Sequence, residues 1–484
     1  MKDLDSDFGS FGDQDYDVVI AGAGFCGSML AVQLAKQAPQ ARVALIEKGR
    51  QFGPGLAYED ADPTHLLNVP VGKMSAFPDD QEHFLRWLER NAELAEEWGV
   101  REIQAKAFVP RVLYGRYLSE QLDAATRRST RLARIQNEVV GLLPVPEGGY
   151  IVQLSAGGFL FAKKVVLALG NFLPPHPPTP DETWINSPHY LRNPWAAATR
   201  AALGTPGNVV ILGSGLTALD LLATQKQAGG ASTVHIVSRH GLFAEPHNPS
   251  PNPPLASVVG AEELPLRLRQ IVQRVRTQIR LAIERDGDWR PVVDGLRPVT
   301  QAIWQSLDPW GQRAFVRHVK PWWDIARHRA APDVYAIKAE LEAVGKLFIH
   351  RGRIAEIRES TQSLEITIRK PGRGGPVNLN AHALINASGP EVNYRKVESP
   401  LIGHLLQNGL IQPHRLGFGL SVTPEGQALN ASGAATPGLF VLGSMRKGAL
   451  WECTAVPELR EQAADLAELL HRDIAKKASL RSLN

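Results

Sequence analysis

The chain has 484 residues, 44% of them hydrophobic and 21% charged, with a formal net charge of +4. That length exceeds one ordinary core and predicts two domains or more, while so mild a charge over so long a chain argues against a nucleic-acid partner. Two cysteines, Cys26 and Cys453, neither in a CxxC, exclude a disulfide framework and dithiol redox chemistry and point to a cytoplasmic protein.

Residues 1–16 are acidic and rich in Gly and Ser, lack the basic and apolar stretches of a signal peptide, and read as a disordered lead-in. No run of about 18 uncharged apolar residues follows, so no transmembrane helix is expected. From Asp17 to Ala21 an apolar, β-branched run predicts a buried strand, which leads into Gly22-Ala23-Gly24-Phe25-Cys26-Gly27. Gly22 allows a tight turn, Gly24 lets backbone approach a pyrophosphate, and Gly27 lets the next helix pack closely on the strand. That helix, Ser28 to Ala38, offers its N-terminal N–H groups to a phosphate. A second strand, Arg42 to Ile46, ends at Glu47, 20 residues beyond Gly27. A carboxylate there accepts hydrogen bonds from a ribose diol and repels a 2′-phosphate, so FAD or NAD fits and NADP does not. Cys26, inside the loop, is expected to pack rather than react.

A second fingerprint lies far downstream. Val209-Val210-Ile211-Leu212 precedes Gly213-Ser214-Gly215-Leu216-Thr217-Ala218, with Ala218 in the place of the third glycine. The following strand, Ser232 to Val237, ends in Ser238-Arg239-His240, so the acid of the first copy maps onto Ser238 and a guanidinium follows. A small hydroxyl and Arg239 suit a 2′-phosphate and predict NADPH, with NADH as the alternative. The duplication extends further. A hairpin-rich stretch from Val139 to Gln153 leads to the run Lys164–Gly170, and Phe348 to Arg369 leads to Ala383–Gly389. Each reads as a β-meander followed by a strand that ends in a small-residue turn.

This repeated plan resembles the two-dinucleotide-binding-domain flavoproteins, which implies FAD in the first domain and NAD(P)H in the second. The predicted fold class is α/β, with two Rossmann-like dinucleotide-binding domains of the three-layer ββα type. The FAD domain is expected over residues 17–195 and 380–484, and the NAD(P)H domain over 200–379 with a helical insert at about 241–345. In that plan a C-terminal strand, here Gly438 to Ser444, returns to the FAD domain. A helix opening at Thr454-Ala455-Val456-Pro457, with Thr454 as cap, then brings its N-terminus to the flavin. The FAD contacts so implied are Gly22, Gly24, Gly27, Glu47, Val139, Gly170, Gly443 and Thr454. Those to NADPH are Gly213, Gly215, Ala218, Ser238 and Arg239. Ser444 stands where many such proteins carry Asp.

Further motifs narrow the resemblance: Gly53-Pro54-Gly55-Leu56-Ala57-Tyr58, His65-Leu66-Leu67-Asn68-Val69-Pro70, Met74-Ser75-Ala76-Phe77-Pro78-Asp79-Asp80, Phe108-Val109-Pro110-Arg111, Tyr114-Gly115-Arg116-Tyr117 and Gly448-Ala449-Leu450-Trp451-Glu452. With these the chain resembles the bacterial FAD/NAD(P)-binding proteins related to flavin-dependent monooxygenases, among them FAD-dependent urate hydroxylases and relatives of amine N-hydroxylases. No FxGxxxHxxx(W/Y) linker lies between Gly170 and Gly213, which sets it apart from Baeyer–Villiger enzymes.

The middle of the chain leaves the βαβ plan. His247 to Pro254 is a stiff Pro-rich loop. Leu264, Leu268, Ile271, Val272, Val275 and Ile279 then recur at helical spacing with arginines between them, a solvated helix face rather than an RNA- or lipid-binding one. Trp289, Trp304, Trp310, Trp322 and Trp323 follow among arginines and histidines. Aromatic faces and guanidinium forks suit a planar anionic substrate, and Trp322, Trp323, Arg327, His328 and Arg329 are the candidate substrate contacts on a helical lid. The histidines His65, His318 and His328 show no metal-ligand spacing, and no catalytic residue emerges.

The resemblance implies an NAD(P)H-driven, FAD-dependent monooxygenase acting through a flavin C4a-(hydro)peroxide on a small substrate and O2, with urate-type hydroxylation as the leading expectation. The cofactor would carry the chemistry. The alternatives are an amine N-hydroxylase, a flavin reductase or dehydrogenase without oxygen transfer, and a non-enzymatic flavin-binding sensor.

Overall fold

The computed structural model describes residues 15–59, 62–372 and 374–481. The expected lead-in falls outside the described residues over 1–14. Asp15 and Tyr16 are not part of it, because they open the first strand.

The first sheet is built on strands β1 (Asp15–Ala21), β2 (Val43–Glu47) and β3 (Leu132–Gln136), which run parallel. An antiparallel meander, β4 (Val139–Pro144), β5 (Tyr150–Leu154) and β6 (Phe159–Leu167), returns the chain so that β6 lies parallel to β1. Val18, Val19 and Ile20 are fully buried because both faces of the sheet are covered. Helices Phe25–Gln37, Arg111–Arg128 and Val456–Arg481 cover one face; the meander covers the other.

The second sheet repeats this plan. It comprises β7 (Tyr190–Leu191), β8 (Gly207–Leu212), β9 (Ser232–Ser238) and β10 (Leu347–Arg351). Its meander is β11 (Arg353–Glu359), β12 (Leu364–Arg369) and β13 (Val377–Ala381), and β14 (Ala383–Asn386) follows. The chain then returns through β15 (Gln427–Leu429) and β16 (Ala435–Val441) to the first sheet, where β16 pairs in parallel with β6. The orders β16-β6-β1-β2-β3 and β7-β14-β8-β9-β10 correspond strand for strand. The two glycine loops sit at equivalent β-to-helix turns.

Three boundaries differ from the sequence reading. β7 and β14 pair inside the second sheet, so residues 190–195 and 380–386 belong to the second module rather than the first. Helix Phe25–Gln37 begins three residues earlier than Ser28, because the turn at Gly22 and Gly24 leaves the chain already in helical register. Helix Pro332–Ala343 packs on Leu216–Gln227 and feeds β10. It is therefore the crossover helix of the second module, and the insert proper ends near Ala331.

A buried polar joint holds the two modules together. The Arg111 guanidinium pairs with Asp220 at 2.7 Å, and the side chains are 14% and 5% exposed. Arg111 also donates to the Leu66 carbonyl and lies over the Trp195 ring. His65 Nε2 meets Thr224 Oγ1 at 2.8 Å, Thr224 donates to Asp62, and Arg200 pairs with the same carboxylate. Two of the sequence motifs, those containing His65 and Arg111, therefore fasten the first module to the glycine-loop helix of the second.

Candidate functional site

Each glycine loop separates structural from ligand-facing glycines. Gly22 has φ +101° and Gly213 φ +110°, a conformation open to glycine. A Cβ on Gly27 would overlap the Gly22 carbonyl, and one on Gly213 the Ala387 carbonyl. Gly24 and Gly215 are different. Their φ values are ordinary, a Cβ on Gly24 would meet only the Gly55 Cα at 3.6 Å, and one on Gly215 would meet nothing within 4 Å. The folded chain does not need glycine at these two positions. A pyrophosphate approaching the helix N-terminus does, and this is where the residues fit a dinucleotide. Ala218 is wholly buried, so its methyl is accommodated.

Glu47 ends β2 as expected and is held in place. One carboxylate oxygen accepts from Ala23 N–H at 2.8 Å and the other from Gly49 N–H at 2.9 Å. Gly170, at φ +69°, accepts a hydrogen bond from Ser444 Oγ at 3.1 Å, which joins the end of β6 to the turn after β16. Gly443 (φ +83°) leaves no room for a side chain beside Cys26 Sγ. Val139 is buried in the apolar cluster of the meander face, so only its backbone could touch a ligand. The helix starts at Val456, with Leu459 N–H bonded to the Ala455 carbonyl. The cap therefore falls on Ala455, and Thr454 is an exposed residue before it. Burial pushes both thiols, Cys26 and Cys453, up to about 12.

The second loop opens onto a cavity of about 1110 Å³. Gly213, Gly215, Ser238 and Arg239 line it, and so do Arg353 and Arg369, which the sequence reading missed. Arg353 and Arg369 are directly opposed across the β11–β12 ladder. Like charges in that position repel unless an anion lies between them. Ser238 Oγ accepts from Gly241 N–H at 3.0 Å, and burial together with Arg239, Arg351 and Arg353 pushes His240 below its usual range. Part of the cavity wall is thus rich in arginine. Another part comprises Lys320, Asp324 and His328 of the insert and Lys447.

Three of the five candidate lid residues converge on one carboxylate. Glu452 accepts from Trp323 Nε1 at 2.8 Å, meets His328 Nε2 at 3.2 Å, and has the Arg327 guanidinium at 3.7 Å. Burial alone would raise its pKa, but His328, the Trp323 N–H and Arg327 outweigh that and hold it at about 2. Its backbone has φ +62°, the one non-glycine residue with positive φ among those described, a strain retained where surroundings over-determine it. The Gly448–Glu452 motif contains this residue, but its cluster was not legible there, since its partners lie more than 120 residues away. Arg329 does not join this cluster. It pairs with Asp294 at 2.9 Å and lies over Trp289, a brace inside the insert. Trp322 is 60% exposed and makes no hydrogen bond to Glu452.

Acid should loosen this assembly in two stages. Burial pushes His235, His247 and His414 down to about 4 from 6.5. His247 Nε2 meets the Asn68 carbonyl at 3.0 Å, and His414 lies against Gly448. Folded-state pKa values below the unfolded ones mean that this stability is complete above pH 6.5 and is lost as pH falls through 4. The Glu452 contribution is complete above about 4.5 and lost toward 2. Melting temperature is expected to be level from pH 7 to 8 and to fall between 6.5 and 4. A melting temperature unchanged down to pH 4 would refute the buried neutral histidines.

Among the described residues no helix is long and apolar enough to cross a membrane, and no group of three or more His, Cys, Asp or Glu is arranged to hold a metal. Residues 19–172 match the model of a family described as FAD-NAD(P)-binding. No curated protein matches the chain. Among solved structures, it is similar to an ornithine N-hydroxylase from Kutzneria sp. 744 described with FADred, NADP+ and L-orn (14% identity, TM-score 0.64, 95% of this chain and 99% of that one). It is also similar to the FAD-bound cadaverine monooxygenase of Erwinia amylovora (12%, 0.64, 94% of each chain). A third is the L-lysine 6-monooxygenase of Pseudomonas syringae (14%, 0.62, 94% and 99%). Residues 19–172 thus match an FAD-NAD(P)-binding family model, and nearly the whole chain shares its fold with these three solved structures.

Proposed function

We propose that the protein is an FAD-dependent, NADPH-driven monooxygenase that hydroxylates the nitrogen of an amine. The observation that carries this reading is the cavity at the second glycine loop. It runs from an arginine-rich end suited to a 2′-phosphate to the insert residues around Glu452. Bound FAD would supply the redox chemistry that couples oxidation of NADPH to reduction of O2, one oxygen atom entering the amine and the other leaving as water. The chain's own residues bind and orient. The Gly24 and Gly215 loops take the two pyrophosphates, Glu47 the FAD ribose, and Arg239, Arg353 and Arg369 the 2′-phosphate. The lid, docked through Trp304 Nε1 on the Gly448 carbonyl at 2.8 Å, excludes water.

The urate-type expectation loses its footing in the same residues. It relied on guanidiniums free to grip a planar anion. Arg329 is committed to Asp294, Arg290 to Asp288, Arg297 to Glu458, and Arg327 lies beside Glu452. The fold neighbours act on ornithine, cadaverine and lysine, and this supports the amine reading over the urate one.

Purified holoprotein mixed with NADPH and a panel of amines should consume NADPH faster with an accepted amine and yield a product heavier by one oxygen. Amine-independent NADPH oxidation that ends entirely in hydrogen peroxide would make it a reductase instead. Arg239→Ala should raise KM for NADPH roughly tenfold or more, about the value of one charge-assisted phosphate contact, and leave KM for NADH within twofold. Equal effects on both would remove Arg239 from 2′-phosphate recognition.

A further inference from the structure

A second cavity lies on the far side of the lid helix Lys320–Arg327. It has a volume of about 620 Å³, within the range of small-molecule sites. Ile271, Val272 and Val275 of helix Leu268–Asp286 form one wall, and Trp304, Trp323 and Trp451 stand opposite. That helix has a strong apolar stripe, yet of its residues only Ile271 and Ala282 are fully buried. Val272, Val275 and Ile279 face the cavity half-buried. The turn that leads into the lid helix, Phe315–Val319, is a π-helix, a local widening frequent at functional sites.

Two observations tie this space to a ligand. Trp451 lines it at 1% exposure, and its Nε1–H is buried with no acceptor among the described residues. A buried donor left without a partner is costly. The cavity also abuts the Glu452 cluster that bounds the first cavity: Trp323, on its wall, donates to Glu452, and Trp451 is Glu452's chain neighbour. We infer that this cavity receives the apolar arm of the substrate, an alkyl or aryl group carrying an oxygen acceptor for Trp451 Nε1, and that the substrate is a hydrophobic amine rather than a short diamine or amino acid. The amine end rests on the function proposed above; the apolar cavity does not.

The test is a binding measurement on the FAD-loaded protein, read from tryptophan fluorescence, with octan-1-ol, n-octylamine and 1,4-diaminobutane as probes. Octan-1-ol and octylamine should bind at least tenfold tighter than diaminobutane. Val272→Trp, which fills the space, should weaken both at least tenfold. Val275→Phe serves the same purpose if the first variant folds poorly, folding being judged by near-UV circular dichroism. Trp451→Phe keeps the ring and loses the donor, and should weaken octan-1-ol roughly fivefold, the worth of one neutral hydrogen bond. The inference is overturned if diaminobutane binds as tightly as octan-1-ol or if the filled variants bind both apolar probes undiminished. It is equally overturned if a concentration-dependent dimer displaces them, since the cavity would then belong to a second copy. Turnover plays no part in this readout, so a failure of amine hydroxylation is recognised separately.

Discussion

Gly24→Val should yield a folded protein that retains no FAD through gel filtration, whereas Gly27→Ala should yield little folded protein at all. The two glycines lie three residues apart and differ in what surrounds them. A Cβ on Gly27 overlaps backbone of its own turn, so the strand–helix contact must open. Such a clash inside a close-packed turn belongs with substitutions costing about 4 kcal/mol or more. A Cβ on Gly24 meets only the Gly55 Cα at van der Waals distance. The valine methyls then stand where a pyrophosphate must reach the N–H groups of helix Phe25–Gln37. Absorbance near 450 nm per unit of protein is the measurement. A fully yellow Gly24→Val protein would remove FAD from the first loop. Gly215→Val is the matched control: it should keep FAD and lose reduction by NADPH.

The second large effect is expected at the joint between modules. Arg111→Ala leaves Asp220 charged, 5% exposed and without its guanidinium. Removing one partner of a buried pair costs about 3–5 kcal/mol, while replacing both by apolar groups of similar volume is often neutral. Arg111→Ala should therefore lower the melting temperature by roughly 3–5 °C. The double variant Arg111→Met with Asp220→Leu should recover most of that loss. A single variant that melts within about 2 °C of the parent would show that the pair does not hold the modules. The double variant also tests orientation. If it is stable but slow in NADPH-driven FAD reduction, the pair sets the angle between the two loops as well as their contact.

What was legible in the sequence is what is encoded locally. The glycine loops, β1, β2, β8, β9 and the acid at Glu47 depend on residues within a span of about 30, and each fell where expected. The return of a strand at Gly438–Ser444 to the first sheet was implied by the family resemblance, and its parallel pairing with β6 came from the structure. The role of His65 and Arg111 was hidden because their partners, Thr224 and Asp220, lie more than 100 residues away. The Glu452 cluster was hidden for the same reason. The arginines of the insert misled for a different one. A row of guanidiniums reads as an anion site until the carboxylates that neutralise them, Asp288, Asp294 and Glu458, are seen folded against them. The arginines that do face a cavity, Arg353 and Arg369, sit apart on two strands of a meander and gave no cluster to notice.

The return of β15 and β16 to the first sheet has a mechanical consequence. The chain crosses between modules twice, once between β6 and β7 and once between β14 and β15, so the two bodies are joined by a pair of tethers. A single tether permits swinging and twisting in any direction. Two attached at separate points leave chiefly rotation about the line that joins them, in the manner of a door on two hinges. The first body is not a continuous segment: residues 19–172 alone lack β16 and the helix that covers the first sheet. A cut at either crossing should therefore leave the halves associated, held by the other crossing and by the Arg111–Asp220 joint.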